Sequence, residues 1–156
     1  IMSNKDIFTK FPNISESTSN MVSDVMKETN NAILVTYQTS NPIYDAANAT
    51  DVTMSKVRHL MNFDTIPRMS MVMKLLKACD KVLSIKDSSG IIHEPHVETF
   101  LKESMHEKGY SNLEMERLSG MGHSGIARLG LYDVSLATAC AVADVMEMTI
   151  VVEDAK

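Results

Sequence analysis

The 156-residue chain has the length of one ordinary domain, and with 44% apolar residues it can bury a core. It carries a net charge of −5, 13 Met, few aromatics and no Trp, so Leu, Val, Ile, Ala and Met must build that core. Two Cys without a C-x-x-C spacing exclude a disulfide framework, no run approaches the eighteen or so apolar residues of a bilayer span, and "MSNKDIFTKF" lacks the apolar stretch of a signal peptide.

Taken in chain order, the periodicity is helical nearly throughout. Ser15 or Ser17 caps a helix on which Met21, Val22, Val25 and Met26 recur at spacings of three and four. "NAILVTYQTSNP" reads as a short strand or a buried helix end, closed by Asn41-Pro42. Thr50 or Asp51 caps a helix with Val52, Val57, Leu60 and Met61, and "NFDTIP" breaks it. The strongest pattern predicts one helix from Met69 to about Ile85, with Val72, Leu75, Leu76, Cys79, Val82 and Leu83 on its apolar face. Pro95 opens a helix to Lys108, with Gly109 as its stop. Ser111 and Glu114 form a capping box for a short helix that Gly120 ends. A last helix starts near Asp133, and its Ala-rich "LATACAVA" lets a neighbour approach closely. No internal repeat or low-complexity linker is legible. These patterns predict an all-α fold, one compact bundle of six to eight short helices over residues 1–156, with room for a further C-terminal domain.

Gly120, Gly122 and Gly125 spell G-x-G-x-x-G, the pattern of a dinucleotide-binding turn. That turn needs a strand before it, and "YSNLEMERLS" reads as helix, so the glycines are expected to punctuate helices. "HEPHVE" groups His93, Glu94, His96 and Glu98, but Pro95 interrupts it and no H-E-x-x-H exists, so no metal and no cofactor are expected. Cys140 with His123 lacks a third orienting group, and no enzymatic activity is expected.

Charge is segregated. Residues 52–86 hold seven basic and two acidic side chains, while residues 87–156 hold five basic and twelve acidic ones. Lys74, Lys77 and Lys81 at three- and four-residue spacing predict one basic helix flank, to which Lys56, Arg58 and Arg68 add from neighbouring segments. Such a face suits phosphates or anionic headgroups, by backbone rather than base contacts. His93, His96, His106 and His123 lie in the acidic third and form a candidate pH sensor.

"MSMVMKLLKACDKVLSIK" and "YDVSLATACAVAD" together resemble the N-terminal part of orthomyxovirus matrix proteins. Met69 or Met71, Lys74, Leu75 and Lys77 fit that family's basic middle helix, and Asp133, Val134, Leu136, Ala137, Thr138, Cys140, Ala141 and Asp144 fit its later helix. Ala78 and Cys79 interrupt the basic cluster, and Ala143 replaces the second Cys, so the family's zinc motif is absent. The resemblance implies a distant, thogotovirus-like member: a non-enzymatic structural protein of the virion, beneath the envelope, present in host cytoplasm and nucleus and at the inner face of the plasma membrane. It implies three partners: other copies of itself, an anionic membrane, and viral ribonucleoprotein with its RNA backbone as a candidate contact; the charge segregation, basic 52–86 against acidic 87–156, predicts that copies meet head to tail. The alternative reading is a helical adaptor with a basic face for an acidic partner.

Overall fold

The computed structural model describes residues 7–93 and 96–155. The Ser15 hydroxyl accepts the Thr18 N–H at 3.0 Å and opens α1 (Glu16–Thr36). Thus "AILVT" is the end of that helix. Asn41 caps α2 (Pro42–Thr50), a helix the periodicity missed, with Pro42 in its first turn. Thr53, rather than Thr50 or Asp51, caps α3 (Met54–Met61). The remaining elements are α4 (Met69–Ala78), β1 (Lys81–Lys86), β2 (Ile92–His93), α5 (Val97–Glu107), α6 (Asn112–Ser119), α7 (His123–Arg128), α8 (Leu136–Val145) and β3 (Thr149–Asp154). The Ser111–Glu114 capping box and the Gly120 stop are present on α6 as expected. Pro95 lies outside the described residues.

The chain is mostly helical but not all-α. The helix expected to reach Ile85 stops at Ala78, because Cys79 leaves helical geometry and Asp80 turns left-handed at φ 57°. Val82 and Leu83 prolong the apolar spacing of Leu75, Leu76 and Cys79, which is how a strand directly after a helix passes for more helix. β1 is the centre of a three-stranded antiparallel sheet, order β2-β1-β3. Its β-branched and aliphatic residues bury one face, with Leu83, Ile85 and Ile150 nearly inaccessible.

A repeat that composition does not reveal organises these elements. Among the described residues, α1–α2–α3–α4–β1 is followed, after the two-residue β2, by α5–α6–α7–α8–β3, the same order of four helices and a strand. The two units share their punctuation. α2 and α6 end on left-handed residues, Asp51 (φ 59°) and Gly120 (φ 75°). A buried apolar residue follows, Val52 or Met121, then the cap of the next helix, Thr53 or Gly122. α4 and α8 are each followed by a left-handed acid, Asp80 (φ 57°) and Glu147 (φ 60°). Core positions correspond as well: Val57 and Leu60 with Ile126 and Leu129; Met69, Val72, Leu75 and Leu76 with Leu136, Ala139, Val142 and Ala143, all buried. The first helices differ, with 21 residues in α1 and 11 in α5.

The units meet about an approximate twofold axis. Arg68 and Ser135, equivalent residues, form an antiparallel bridge. Met69 N–H donates to the Val134 carbonyl at 2.8 Å, and Leu136 N–H donates to the Pro67 carbonyl at 2.9 Å. β1 and β3 pair antiparallel along their whole length, from Lys81 opposite Asp154 to Lys86 opposite Thr149. Contacts in which each partner offers the same groups to the other are the mark of a twofold interface. Here that interface lies inside one chain.

Asymmetric contacts complete the packing. α8, buried continuously from Leu136 to Ala143, packs against α1, α5 and α6, the close approach its alanines allow. Asp144 at its end accepts hydrogen bonds from Ser15 (2.9 Å), Ser17 (2.6 Å) and Thr18 (3.2 Å) at the start of α1. Asp133 of the second unit caps α4 of the first, accepting from the Ser70 N–H (3.0 Å) and hydroxyl (2.7 Å).

Asp133→Ala is expected to lower unfolding free energy by about 1 kcal/mol in urea titration, as loss of a helix cap does. Gly120→Ala is expected to cost more, at least about 2 kcal/mol. Its Cβ would lie 2.1 Å from the Asn13 carbonyl oxygen as well as adopt a left-handed conformation.

Candidate functional site

Within each unit two short helices are joined by a three-residue turn, Asp51–Thr53 between α2 and α3 and Gly120–Gly122 between α6 and α7. This is a helix-turn-helix arrangement. Its first turn residue must be left-handed to redirect the chain, and its second must be apolar because it plugs the angle between the helices. Glycine serves the first role at Gly120 with no steric cost.

The second helix of each pair turns one flank to the core and the other to solvent. α3 buries Val57 and Leu60 and exposes Ser55, Lys56, Arg58 and His59. α7 buries Ile126 and exposes His123, Ser124 and Arg128. Neither helix contains a carboxylate, in a chain with five more acids than bases. His59 rests on Asp64 (3.1 Å) and His123 on Glu116 (2.9 Å), while the Arg128 guanidinium lies over the exposed Tyr132 ring at 4.8 Å.

Two adjoining pockets lie at the twofold seam and share Thr65, Ile66, Arg68 and Asp133. Lys56 and His59 line one from α3, and Ser124 and Arg128 line the other from α7. Hydrogen bonds hold α7 in place. Lys102 of α5 donates to Asn112 (3.0 Å) and to the Ile126 carbonyl (3.1 Å), tying α6 and α7 to the first helix of their unit. Burial pushes its ammonium pKa down. Gly125 packs on Thr138 of α8, where an added Cβ would stand 3.1 Å from the hydroxyl oxygen. The glycines of the G-x-G-x-x-G pattern therefore make a turn between helices and a close helix contact.

The basic residues expected on one face divide into groups. Lys56 and Arg58 are exposed on α3, and Arg68 is the exposed residue before α4, donating to the Asp133 carbonyl at 3.4 Å. Lys74 and Lys77 are exposed on α4. Lys81 begins β1 and pairs with Asp154 of the same chain, so the three lysines do not continue along a single helix flank. The reason is the left-handed Asp80, which breaks the spacing between Lys77 and Lys81.

The histidines are distributed over separate elements. His93 on β2 contacts Asp87 (2.7 Å) and stacks on Phe100, His96 precedes α5, the exposed His106 ends it, and His123 starts α7. Among the described residues no group of three His, Cys, Asp or Glu is placed to hold a metal. Cys140 is fully buried, and its thiol pKa is pushed far up by desolvation and then by Asp144, the opposite of what a nucleophile needs.

No protein-family model, curated protein or solved structure matches the chain.

Sequence reasoning selected Lys56, Arg58 and Arg68 but passed over Ser55, His59, Ser124 and Arg128. α7 is only six residues long, and Gly122 at its cap and Gly125 within it read as loop. The usable signal was the parallel spacing of Asp51-Val52-Thr53 and Gly120-Met121-Gly122 after each short helix.

The Asp87 turn supplies a pH test. Hydrogen bonds from Ser89, then His93, Ile91 and the Ser89 backbone hold the Asp87 carboxyl below the usual range. A depressed carboxylate contributes stability above its unfolded pKa, and loses it as pH falls toward the folded value. Asp87→Asn is therefore expected to flatten the fall in melting temperature below about pH 4, with thermal scans from about pH 2.5 to 7 as the check.

Proposed function

We propose that this chain is a duplex-DNA-binding protein that lays α3 and α7 in the major groove. The observation that carries the reading is the paired helix-turn-helix, whose outward second helices hold cations and no carboxylate of their own in a chain that is acidic overall. A helix fits the B-form major groove, where base edges are distinguishable, whereas the A-form groove of duplex RNA is too narrow to read. Lys56, Arg58, Arg68 and Arg128 supply phosphate attraction, and Ser55, His59, Ser124 and the arginines supply donors for base edges. The acidic remainder limits nonspecific attraction, so specificity must rest on the groove contacts. This is binding, with no catalytic step.

The shell-building role implied by the likeness to orthomyxovirus matrix proteins is a second reading, favoured by one observation. Lys74 and Lys77 are exposed and form no ion pair among the described residues. On this reading they would grip anionic lipid or ribonucleoprotein while copies assemble head to tail beneath an envelope. Acid would loosen the assembly through the histidines.

Fluorescence anisotropy with a labelled duplex of about 25 base pairs separates the readings. Binding is expected, weakening at least ~10-fold between about 50 and 200 mM salt. Lys56→Glu with Arg58→Glu is expected to weaken it ~10-fold or more while leaving the melting temperature in place. Lys74→Glu with Lys77→Glu is expected to leave it within about two-fold. If the latter pair instead abolishes flotation with phosphatidylserine vesicles and no duplex binds, the matrix reading stands.

A further inference from the structure

We infer that a single chain reads an inverted-repeat DNA site with two unlike halves, the task that separate helix-turn-helix subunits perform as a dimer. This rests on the duplex-binding reading and goes beyond it in naming the form of the target and the number of chains on it. B-DNA has local twofold axes perpendicular to its length. A protein with a matching axis engages both strands equivalently, and its target then reads as an inverted repeat. The axis in this chain is fixed by two independent pairings of equivalent backbone, the Arg68–Ser135 bridge and the β1–β3 ladder. α3 lines one and α7 the other of two adjoining pockets that share Arg68 and Asp133, so both second helices border the seam where the two units meet. Helix-turn-helix pairs related by such an axis read half-sites about one helical turn apart, roughly 10 base pairs, and that spacing is expected here.

The halves are unlike because the two units share a backbone course but not the side chains that would read the groove. Aligned from their caps, Ser55 corresponds to Ser124, Lys56 to Gly125, Arg58 to Ala127 and His59 to Arg128. α3 thus offers two cations where α7 offers Gly and Ala, and α7 holds its one arginine where α3 holds His59. Arginine pairs preferentially with guanine O6 and N7. Each half is expected to contain a guanine contact at a different step, Arg58 reading one half and Arg128 the other.

The test is selection from a randomised duplex pool with the full chain, followed by native mass spectrometry of the recovered duplex. An imperfect inverted repeat, half-sites about 10 base pairs apart, and one chain per duplex are expected. Arg58→Ala and Arg128→Ala, both exposed positions, are each expected to relax one half only, a different one in each variant, with losses of roughly ten-fold on the selected site. A direct repeat, a single half-site, two chains per duplex, or both variants relaxing the same half overturns this inference and leaves duplex binding intact. Failure to retain any duplex at low salt, by protein with a normal melting transition, overturns the duplex-binding reading and this one with it.

Discussion

Two backbone pairings between equivalent segments hold the molecule in its form. Each exchanges N–H and carbonyl groups reciprocally, so neither unit can shift without breaking bonds at both ends of the seam. The β1–β3 ladder buries the Leu83, Ile85 and Ile150 side chains, and neither strand would be stable as an isolated edge. The Arg68–Ser135 bridge sits directly before α4 and α8, so it orients those helices. Everything said about the relation of α3 to α7 follows from this seam.

Polar groups then tie the units together asymmetrically. Asp133 caps the helix of the other unit, and Asp144 gathers three hydroxyls from the start of α1. These carboxylates are used up internally, which changes the meaning of a net charge of −5. Acid residues at the seam serve as caps, and the cations of α3 and α7 remain turned outward. A charge count over sequence windows mixes these roles together. The same applies to Lys81, counted as part of a basic face but neutralised by Asp154 across the ladder.

Much of the local structure was legible. Capping at Ser15 and Ser111, the stop at Gly120 and the helical pattern of α1, α5, α6 and α8 follow from short-range chemistry, since a hydroxyl three residues before a free N–H needs nothing distant to act. The basic stripe was half legible. Lys74 and Lys77 are on an exposed helix, but the periodicity ran on through Asp80, whose left-handed backbone leaves no mark in a hydrophobic pattern. The candidate site was least legible. α2 and α7 were absent from the expected elements, and without them each helix-turn-helix lacked one of its helices. The repeat was hidden for a related reason. Corresponding positions share burial and backbone angle, as Val72 and Ala139 or Asp51 and Gly120 do, while differing in residue type.

By itself the sequence determined a mostly helical chain, its principal caps and stops, and a concentration of positive charge in its middle third, because these depend on contacts within a few residues. Only the tertiary structure decided that Lys81–Lys86 is a strand, that two units repeat, and that α3 and α7 border adjoining pockets at the seam. Those facts rest on hydrogen bonds between residues some seventy positions apart, such as Lys81 with Asp154 and Met69 with Val134. Local propensity is silent about such partners, since a short apolar run becomes strand or helix according to what lies across from it.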